Sequence, residues 1–404
     1  MQSDLIAFIN TDHLAHNYSA LRRCCRPGVK LCAPLKADAY GHGVAIVAPA
    51  LQEAGADYAA VATLDEAVEL REVGWQRPIL VLGNVLSAPN PAERRERIAV
   101  VVEYDLTLTI ADQATVQRLL LAEPAERISV HLKIDSGMGR MGALPAQAAA
   151  LLAAVLRARC LHATGLYSHF ATADFGDRAL VARQLATFQQ VSAEIIANLP
   201  DGLLRHMANS AATITLPPAH FDMVRPGLAL YGYLPAPRMA EQIDLKPVLR
   251  VVSHLSAVKN LPPGHCVGYG RTFTTRRPTR LGIIPAGYFD GLPRSLSNEA
   301  VVGTPHGDAP IIGRISMDQL AVDLTDLPPL RVGTTVTLID DTPGRPNAVA
   351  TLADRLGTIP YEVTCLLGRR IQRVRFSQTC DLPPNRGQTK LNRNSAARRS
   401  VSQS

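Results

Sequence analysis

The sequence predicts an α/β protein: a (β/α)8 TIM-like barrel followed by a mostly-β C-terminal domain. Three observations predict it. Between about residues 29 and 231, short apolar or β-branched runs alternate with longer helical patterns, and eight such βα units fit in that length. No GxGxxG follows the first of these runs, which argues against an open doubly wound sheet. Beyond Gly232 the pattern changes to short strands separated by Pro and Gly.

Taken in order, residues 5–9 are strand-like, and residues 1–10 are expected to give the C-terminal domain an N-terminal strand. The barrel is expected over 11–235, with strands at 29–35, 58–62, 79–82, 99–103, 129–134, 162–168, 204–207 and 221–225. Helical patterns lie between them at 45–54, 64–73, 113–121, 146–156 and 179–198. The 64–73 segment carries Asp65, Glu66 and Glu69 in its opening turns, where acidic side chains favour a helix start. Leu234-Pro235-Ala236-Pro237 reads as a linker. The β domain is expected over 236–376, with strands at 248–258, 280–284, 310–312, 320–324 and 334–339. Residues 377–404 are Ser-, Asn-, Gln- and Arg-rich and are expected to be a disordered basic tail. The sequence shows no internal repeat.

Composition narrows the function classes. The chain has 404 residues, is 47% apolar and 19% charged, and carries a formal net charge of +7. It is too apolar for a disordered chain. The basic excess raises an anionic ligand or a nucleic-acid surface as possibilities. However, five basic residues (Arg386, Lys390, Arg393, Arg398 and Arg399) lie in the tail against one acid, Asp381. One Trp and 5% aromatics argue against a stacking platform for single-stranded nucleic acid. The longest apolar run, 148–156, falls well short of the ~18 residues of a membrane span, and no signal-like core opens the chain. Seven scattered cysteines without a CxxC pair indicate neither a zinc site nor a disulfide framework. The expectation is a cytoplasmic protein with no metal, no membrane partner and no nucleic-acid partner.

Lys36 closes an apolar strand, at the barrel end where catalytic groups gather. A buried lysine is less strongly held in its charged form and can act as a nucleophile suited to a Schiff base. An isolated lysine at a strand end more often simply snorkels to solvent. The surrounding motif, LKADAYGHG (35–43), changes that balance. It is joined by HLKIDSGMGRMG (131–142), HFATAD (169–174), ANSAA (208–212), VRPGLALYG (224–232), VGYGRTF (267–273), IPAGYFDG (284–291), GRISMDQ (313–319) and IPYEV (359–363). Each is weak alone. In this order they make residues 1–376 resemble the fold-type III, pyridoxal-phosphate-dependent alanine racemases.

The resemblance implies a two-base reaction interconverting L- and D-alanine on a pyridoxal 5'-phosphate Schiff base at Lys36, supplying D-alanine for peptidoglycan. Tyr269 would be the second acid/base group, on the opposite face. A free tyrosine holds its proton at neutral pH, so it needs stabilising neighbours. His169 would contact Tyr269, and Arg225 would contact His169 and face the pyridine nitrogen. An arginine keeps its proton, which weakens the cofactor's electron sink and favours racemisation over decarboxylation. Tyr40, Asn209, Ser210, Gly227, Leu228 and Tyr361 would hold the phosphate end. Ser210 also follows a plain helix cap at Asn209, and both readings can hold together. Arg140 would bind the cofactor's phenolic oxygen and the substrate carboxylate. Lys133 matches a lysine that the family often carbamylates, and the carbamate would hold Arg140. Met317 and Asp318 would close the substrate pocket. Tyr269, Met317 and Asp318 would come from a second copy, which implies a homodimer with shared sites. Asp174, Tyr288, Arg294 and Arg314 would line the entrance. Phe289, Leu292 and Ser316 depart from the family pattern.

Other readings stay open at this stage. A broader amino-acid racemase or a decarboxylase of the same architecture is one. A non-catalytic pyridoxal-phosphate carrier is another, although such carriers lack the second domain. A nucleic-acid-binding protein has only the basic pI in its favour.

Overall fold

The computed structural model describes residues 4–122, 124–197 and 203–377. The expected tail beyond Ser377 lies outside the described residues. Eight strands close into a parallel barrel: β2 (Lys30–Pro34), β3 (Tyr58–Val61), β4 (Ile79–Val81), β5 (Leu106–Ile110), β6 (Ile128–Lys133), β7 (Leu161–Tyr167), β8 (Leu204–His206) and β9 (Met223–Val224). Closure is made by β9 on β2, with Met223 beside Lys30 and Val224 beside Leu31. A barrel strand is covered on both faces, so its sequence need not alternate. In β5, LTLTI, all five positions are buried. Cys32, Ala60, Leu80 and Met223 form a separate small cluster inside the barrel, while Leu31, Ala33 and Ala59 join the main core.

The surrounding helices are α1 (Thr11–Cys24), α3 (Val44–Glu53), α4 (Leu64–Glu72), α5 (Pro91–Glu103), α6 (Gln113–Ala122), α7 (Ala148–Arg157) and α8 (Arg178–Ile196). The fifth strand differs from the sequence expectation. Residues 99–103, with their β-branched Val100-Val101-Val102, are the end of α5, and the strand is β5 at Leu106–Ile110. Local helix signals decide this. Asn90 caps Ala92 N, Pro91 occupies the first turn, and the buried residues are Ile98 and Val101, three apart.

The second unit is mostly β. Its six-stranded sheet runs β16 (Gly307–Pro310), β15 (Val301–Thr304), β18 (Thr335–Ile339), β10 (Leu249–His254), β1 (Ile6–Asn10) and β19 (Gln372–Phe376). A three-stranded sheet orders β11 (Ala257–Leu261), β14 (Thr279–Ile284) and β17 (Leu320–Asp323). A short hairpin joins β12 (Cys266–Val267) to β13 (Phe273–Thr274). The expected single strand over 248–258 is two strands in different sheets. The break is at Leu255 and Ser256, whose N–H groups go to Thr334 O and Ile283 O. Two helices, α10 (Val349–Leu356) and α11 (Pro360–Cys365), interrupt the β pattern.

The two units are interlocked. The N-terminal β1 pairs antiparallel with β10 and parallel with β19, then leads directly into α1, which Asn10 caps through Asp12 N and His13 N. Asn17 on α1 is buried. Its amide donates to Leu230 O at 3.0 Å and Lys246 O at 2.8 Å and accepts from Lys246 N at 2.8 Å. Asn17→Ala leaves three backbone groups without this partner, Leu230 O in the buried interior and Lys246 O and N partly buried. Chemical denaturation should show a loss of about 2–3 kcal/mol, and a loss below about 0.5 kcal/mol would show that the join does not depend on this side chain.

Candidate active site at the barrel mouth

The backbone after β2 takes a form that few sequences adopt. α2 (Lys36–Tyr40) is a single left-handed turn, with Ala37, Asp38, Ala39 and Tyr40 all at φ between +52° and +56°. Each non-glycine residue there is strained, so the surroundings must hold the turn. Ala39 N donates to Leu35 O at 2.9 Å and Gly41 N to Ala37 O at 2.8 Å. The Asp38 carboxylate accepts from Val44 N at 2.7 Å. Gly41 sits at φ +79°, and a Cβ on it would lie 2.1 Å from Thr364 O of α11, so this position requires glycine. The turn leaves Lys36 half-buried at the C-terminal end of the barrel.

Arg225, just after β9, is buried at the same end. Its guanidinium donates to His206 Nδ1 at 2.6 Å, to Ser168 O at 2.8 Å and to His169 Nδ1 at 3.2 Å. A guanidinium has no acceptor atom, so both Nδ1 atoms must accept. Burial, then the Arg225 charge, hold the pKa of His169 and His206 well below the ordinary histidine value, so both are neutral at pH 7. Each therefore carries its proton on Nε2. His206 Nε2–H donates in turn to His131 Nδ1 at 2.9 Å, which puts His131's own proton on Nε2. Burial, then Arg225, push His131 down to about 3. Tyr167 stacks on His206 at 4.8 Å, lies 5.1 Å from the guanidinium and bonds Thr109 Oγ1 at 2.8 Å. His131, Tyr167 and His206 carry no role in the sequence reading. Their signal is positional: they lie on the barrel strands β6, β7 and β8.

Lys133 ends β6 and is buried. Its ammonium lies 5.4 Å from the Tyr167 ring. Burial, followed by the charges of Arg140 and Arg225, pushes its pKa down to about 8. Arg140 lies exposed beyond the loop that starts at Asp135. Burial raises the Asp135 carboxyl, but donation from Gly137, Gly139 and Met138 N–H outweighs it and holds the group below its ordinary value.

A cup of neutral donors lies beside these cations. Ser210 opens α9 (Ser210–Thr215), is buried, and its Oγ accepts from Ala229 N at 3.2 Å. That leaves its O–H free to donate elsewhere. Asn209 is the helix cap, with Oδ1 on Ala212 N at 3.0 Å. Tyr361, on α11 of the second unit, lies beside the Ser210 side chain and the Leu228 backbone. Burial, then Asp174, push its phenol up to about 12, so it keeps its proton. Burial likewise raises Tyr40, whose ring lies 5.6 Å from Tyr361 and 5.0 Å from Tyr231. A Cβ on Gly227 would lie 2.7 Å from the Tyr40 hydroxyl, so the backbone there can approach only as glycine.

The structure thus gathers Lys36, Tyr40, Lys133, His169, Asn209, Ser210, Arg225, Gly227, Leu228 and Tyr361 around the C-terminal end of the barrel. Tyr269, Met317 and Asp318 are elsewhere. Tyr269 is 72% exposed on the loop after β12, where flanking Gly268 and Gly270 pack on Arg314. Met317 is exposed, and its carbonyl accepts from Phe289 N at 3.2 Å. Asp318 pairs with Arg370 at 2.7 Å, and Arg370 also grips buried Asp290 at 2.9 and 3.0 Å. Among the described residues no hydrogen bond, ion pair or ring contact joins Tyr269, Met317 or Asp318 to Lys36 or Arg225 of the same chain. Nor is any group of three or more His, Cys, Asp or Glu among the described residues placed to hold a metal ion, and none of their helices is long and apolar enough to cross a membrane.

Comparison with known proteins matches this arrangement to a family. Residues 9–235 match the alanine racemase N-terminal domain model, and residues 248–375 match the C-terminal domain model. An alanine racemase of Desulfovibrio desulfuricans is 39% identical over 371 residues, covering 91% of this chain and 97% of that protein. One from Synechocystis is 40% identical over 364 residues, covering 89% and 96%. Among solved structures, a Clostridium difficile alanine racemase superposes with a TM-score of 0.86 at 30% identity, covering 94% of this chain and 97% of that one. The Bacillus anthracis alanine racemase solved with bound L-Ala-P gives 0.86 at 31% identity over the same shares. With both domain models matched in order and relatives aligned over nearly their whole length, this chain belongs to the alanine racemase family.

Proposed function

We propose that this protein interconverts L- and D-alanine with pyridoxal 5'-phosphate, using Lys36 and Tyr269 as its two acid/base groups. The observation that carries this reading is Arg225: a buried cation bonded to neutral acceptors at the mouth that also holds Lys36. The site fits the cofactor. Ser210, Tyr361, Tyr40 and the backbone at Gly227 and Leu228 make a cup of donors for a phosphate, closed where a Gly227 side chain would intrude. Asn209 fixes the helix that presents Ser210. Bound there, pyridoxal phosphate would draw electrons from the substrate Cα and acidify its C–H bond.

The chain's own groups do the rest. Lys36 anchors the cofactor and moves a proton on one face. Arg225 would meet the cofactor ring as a fixed cation that gives up no proton, which suits brief charge storage and disfavours decarboxylation. Arg140 presents two parallel donors to a carboxylate. His169 is held with its proton on Nε2, ready to donate to a phenolate at Tyr269. Tyr269, Met317 and Asp318 would reach the barrel of a second copy. Supporting this, Tyr269, Tyr288, Phe289 and Met317 are all exposed, and Tyr288 and Phe289 bond the Ser316–Met317 backbone. D-alanine made this way would serve peptidoglycan. Lys133 is suited to carbamylation: its neutral amine adds to CO2 and loses one proton, which gives an anion beside Arg140.

Four outcomes are expected. L-alanine in deuterated water should yield D-alanine carrying deuterium at Cα, read by chiral chromatography and mass spectrometry. No D-alanine from the cofactor-loaded protein would end the racemase reading. Tyr269→Phe should lose about 10²–10⁴-fold in rate, most in the L-to-D direction. Mixing it with Lys36→Ala under subunit exchange should restore about a quarter of wild-type activity, because one shared site per mixed dimer is intact. No rescue would place both groups in one chain. Finally, Lys133 is mostly protonated at pH 7 and neutral above about pH 8. Its mass adduct with CO2 should therefore accumulate in bicarbonate as pH rises through 8 and disappear on acidification. A lysine unmodified at pH 9 would remove the carbamate.

A further inference from the structure

We infer that Glu66 is a positioning residue for Lys36, holding the left-handed turn that carries it. This rests on the reading of Lys36 given above. Glu66 lies in the first turn of α4 and takes part in its capping box: Glu66 N donates to Thr63 Oγ1 at 3.2 Å, and Thr63 N donates to Glu66 Oε2 at 3.3 Å. A capping box needs no more than that. Yet the two short contacts of this carboxylate leave the helix. Oε2 accepts from Ala62 N at 2.6 Å, just past the end of β3, and Oε1 accepts from Ala37 N at 2.7 Å, the residue after Lys36. One carboxylate thus ties the end of β2 to the end of β3 and to the start of α4.

The Ala37 contact is the consequential one. Ala37 begins the run of four left-handed residues, and this side chain supplies the acceptor for its N–H. The preceding peptide carbonyl belongs to Lys36 itself, so the direction of this hydrogen bond sets the plane from which the Lys36 side chain departs. Charge-assisted bonds to backbone N–H groups are short and directional. Small displacements of a reacting group lower rates steeply, about 10²-fold for 1 Å. Asp38 acts from the other side of the turn through Val44 N. The two acids therefore clamp the strained segment, and Glu66 holds the end adjoining the lysine.

The test compares Glu66→Gln, Glu66→Ala and Thr63→Ala, purified with cofactor. Thr63→Ala removes the cap hydroxyl and leaves the Ala37 contact. Each variant is measured for unfolding midpoint, kcat and KM for L-alanine, and the pH dependence of the cofactor's visible absorbance, which reports the Lys36 nitrogen. Thr63→Ala should lower the unfolding midpoint and leave kcat and the absorbance profile at wild-type values. Both Glu66 variants should lower kcat by about tenfold or more, leave KM within about twofold, and shift the absorbance midpoint. If Glu66→Ala does not fold, Glu66→Gln decides, because its amide can accept on one side only. Glu66→Gln with wild-type kcat and an unshifted midpoint, or a Thr63→Ala that matches it in every readout, would overturn the inference. A wild-type protein that takes up no pyridoxal phosphate would overturn the reading of the whole site instead.

Discussion

Arg225 carries a full positive charge into the top of the barrel, and among the described residues no carboxylate forms an ion pair with it. A buried unpaired ion is strongly disfavoured, so the surrounding atoms are arranged to accept from it. Two imidazole nitrogens, the Ser168 carbonyl and the face of Tyr167 fill that role. The consequences spread outward. One guanidinium fixes the tautomers of His169 and His206, and through His206 that of His131. His131 in turn needs room: a Cβ on Gly165 would lie 2.5 Å from its ring, so β7 carries a glycine there. Lys36, Lys133 and Arg140 add further positive charge around the same mouth, which reinforces the larger effect of burial in lowering His169 and, through Arg140, Arg225 and Lys36, in lowering Lys133. Such a cluster is most stable with an anion among it. A phosphate and a carboxylate, on cofactor and substrate, are anions of that kind.

The mouth is not the work of the barrel alone. Tyr361 reaches Ser210 from the second unit, and Thr364 on the same helix packs on Gly41 so closely that no side chain fits. Arg373 donates to Gly41 O at 3.2 and 3.3 Å while holding Gly368 O at 2.8 Å. The left-handed turn is therefore held by Glu66 at Ala37, by its own Asp38 at Val44, and by the second unit at Gly41. Strain of this kind persists only where the surroundings over-determine it. The shared sheet, in which β1 lies between β10 and β19, keeps the two units in register for that contact.

The alternation of apolar runs and helices made the barrel legible, and ordered motifs made the family legible. The fifth strand was not, because Val100–Val102 has a β-branched composition on a helix whose start lies ten residues earlier, at an Asn-Pro cap. β-branched content reports a buried face, and a buried helix face can carry it as well as a strand can. The break inside 248–258 was hidden for a related reason: Leu255 is buried, so hydropathy runs on across the point where the chain changes sheets. His206 and His131 were illegible as a pair because their meaning is a 2.9 Å contact between residues 75 apart. Glu66 was legible as an acid in a helix's first turn, which is true of it. Its contact with Ala37 depends on a backbone conformation that no residue pattern around it announces.

The two proposed acid/base groups, Lys36 and Tyr269, differ in how they are supported, and on that reading the difference has a mechanistic consequence. The contacts that hold the Lys36 turn, and the donors proposed for the phosphate, come together within one chain. Tyr269 does not share that support: it stands exposed on a loop whose flanking glycines, at φ +71° and +70°, let the backbone turn sharply beside Arg314. Tyr269, Tyr288, Phe289 and Met317 are exposed together in the second unit, and contiguous exposed apolar surface is what interaction faces carry. On the proposed reading this face is covered by a second barrel mouth, where the Nε2–H of a neutral His169 stands ready to meet the phenol. A single chain would then retain a complete cofactor cup and one acid/base group. It could take up cofactor and exchange a proton on one face, yet lack the group on the other. Racemisation, unlike cofactor binding, would begin only with association, because on this reading the face on which the second proton arrives would be built from two copies of the chain.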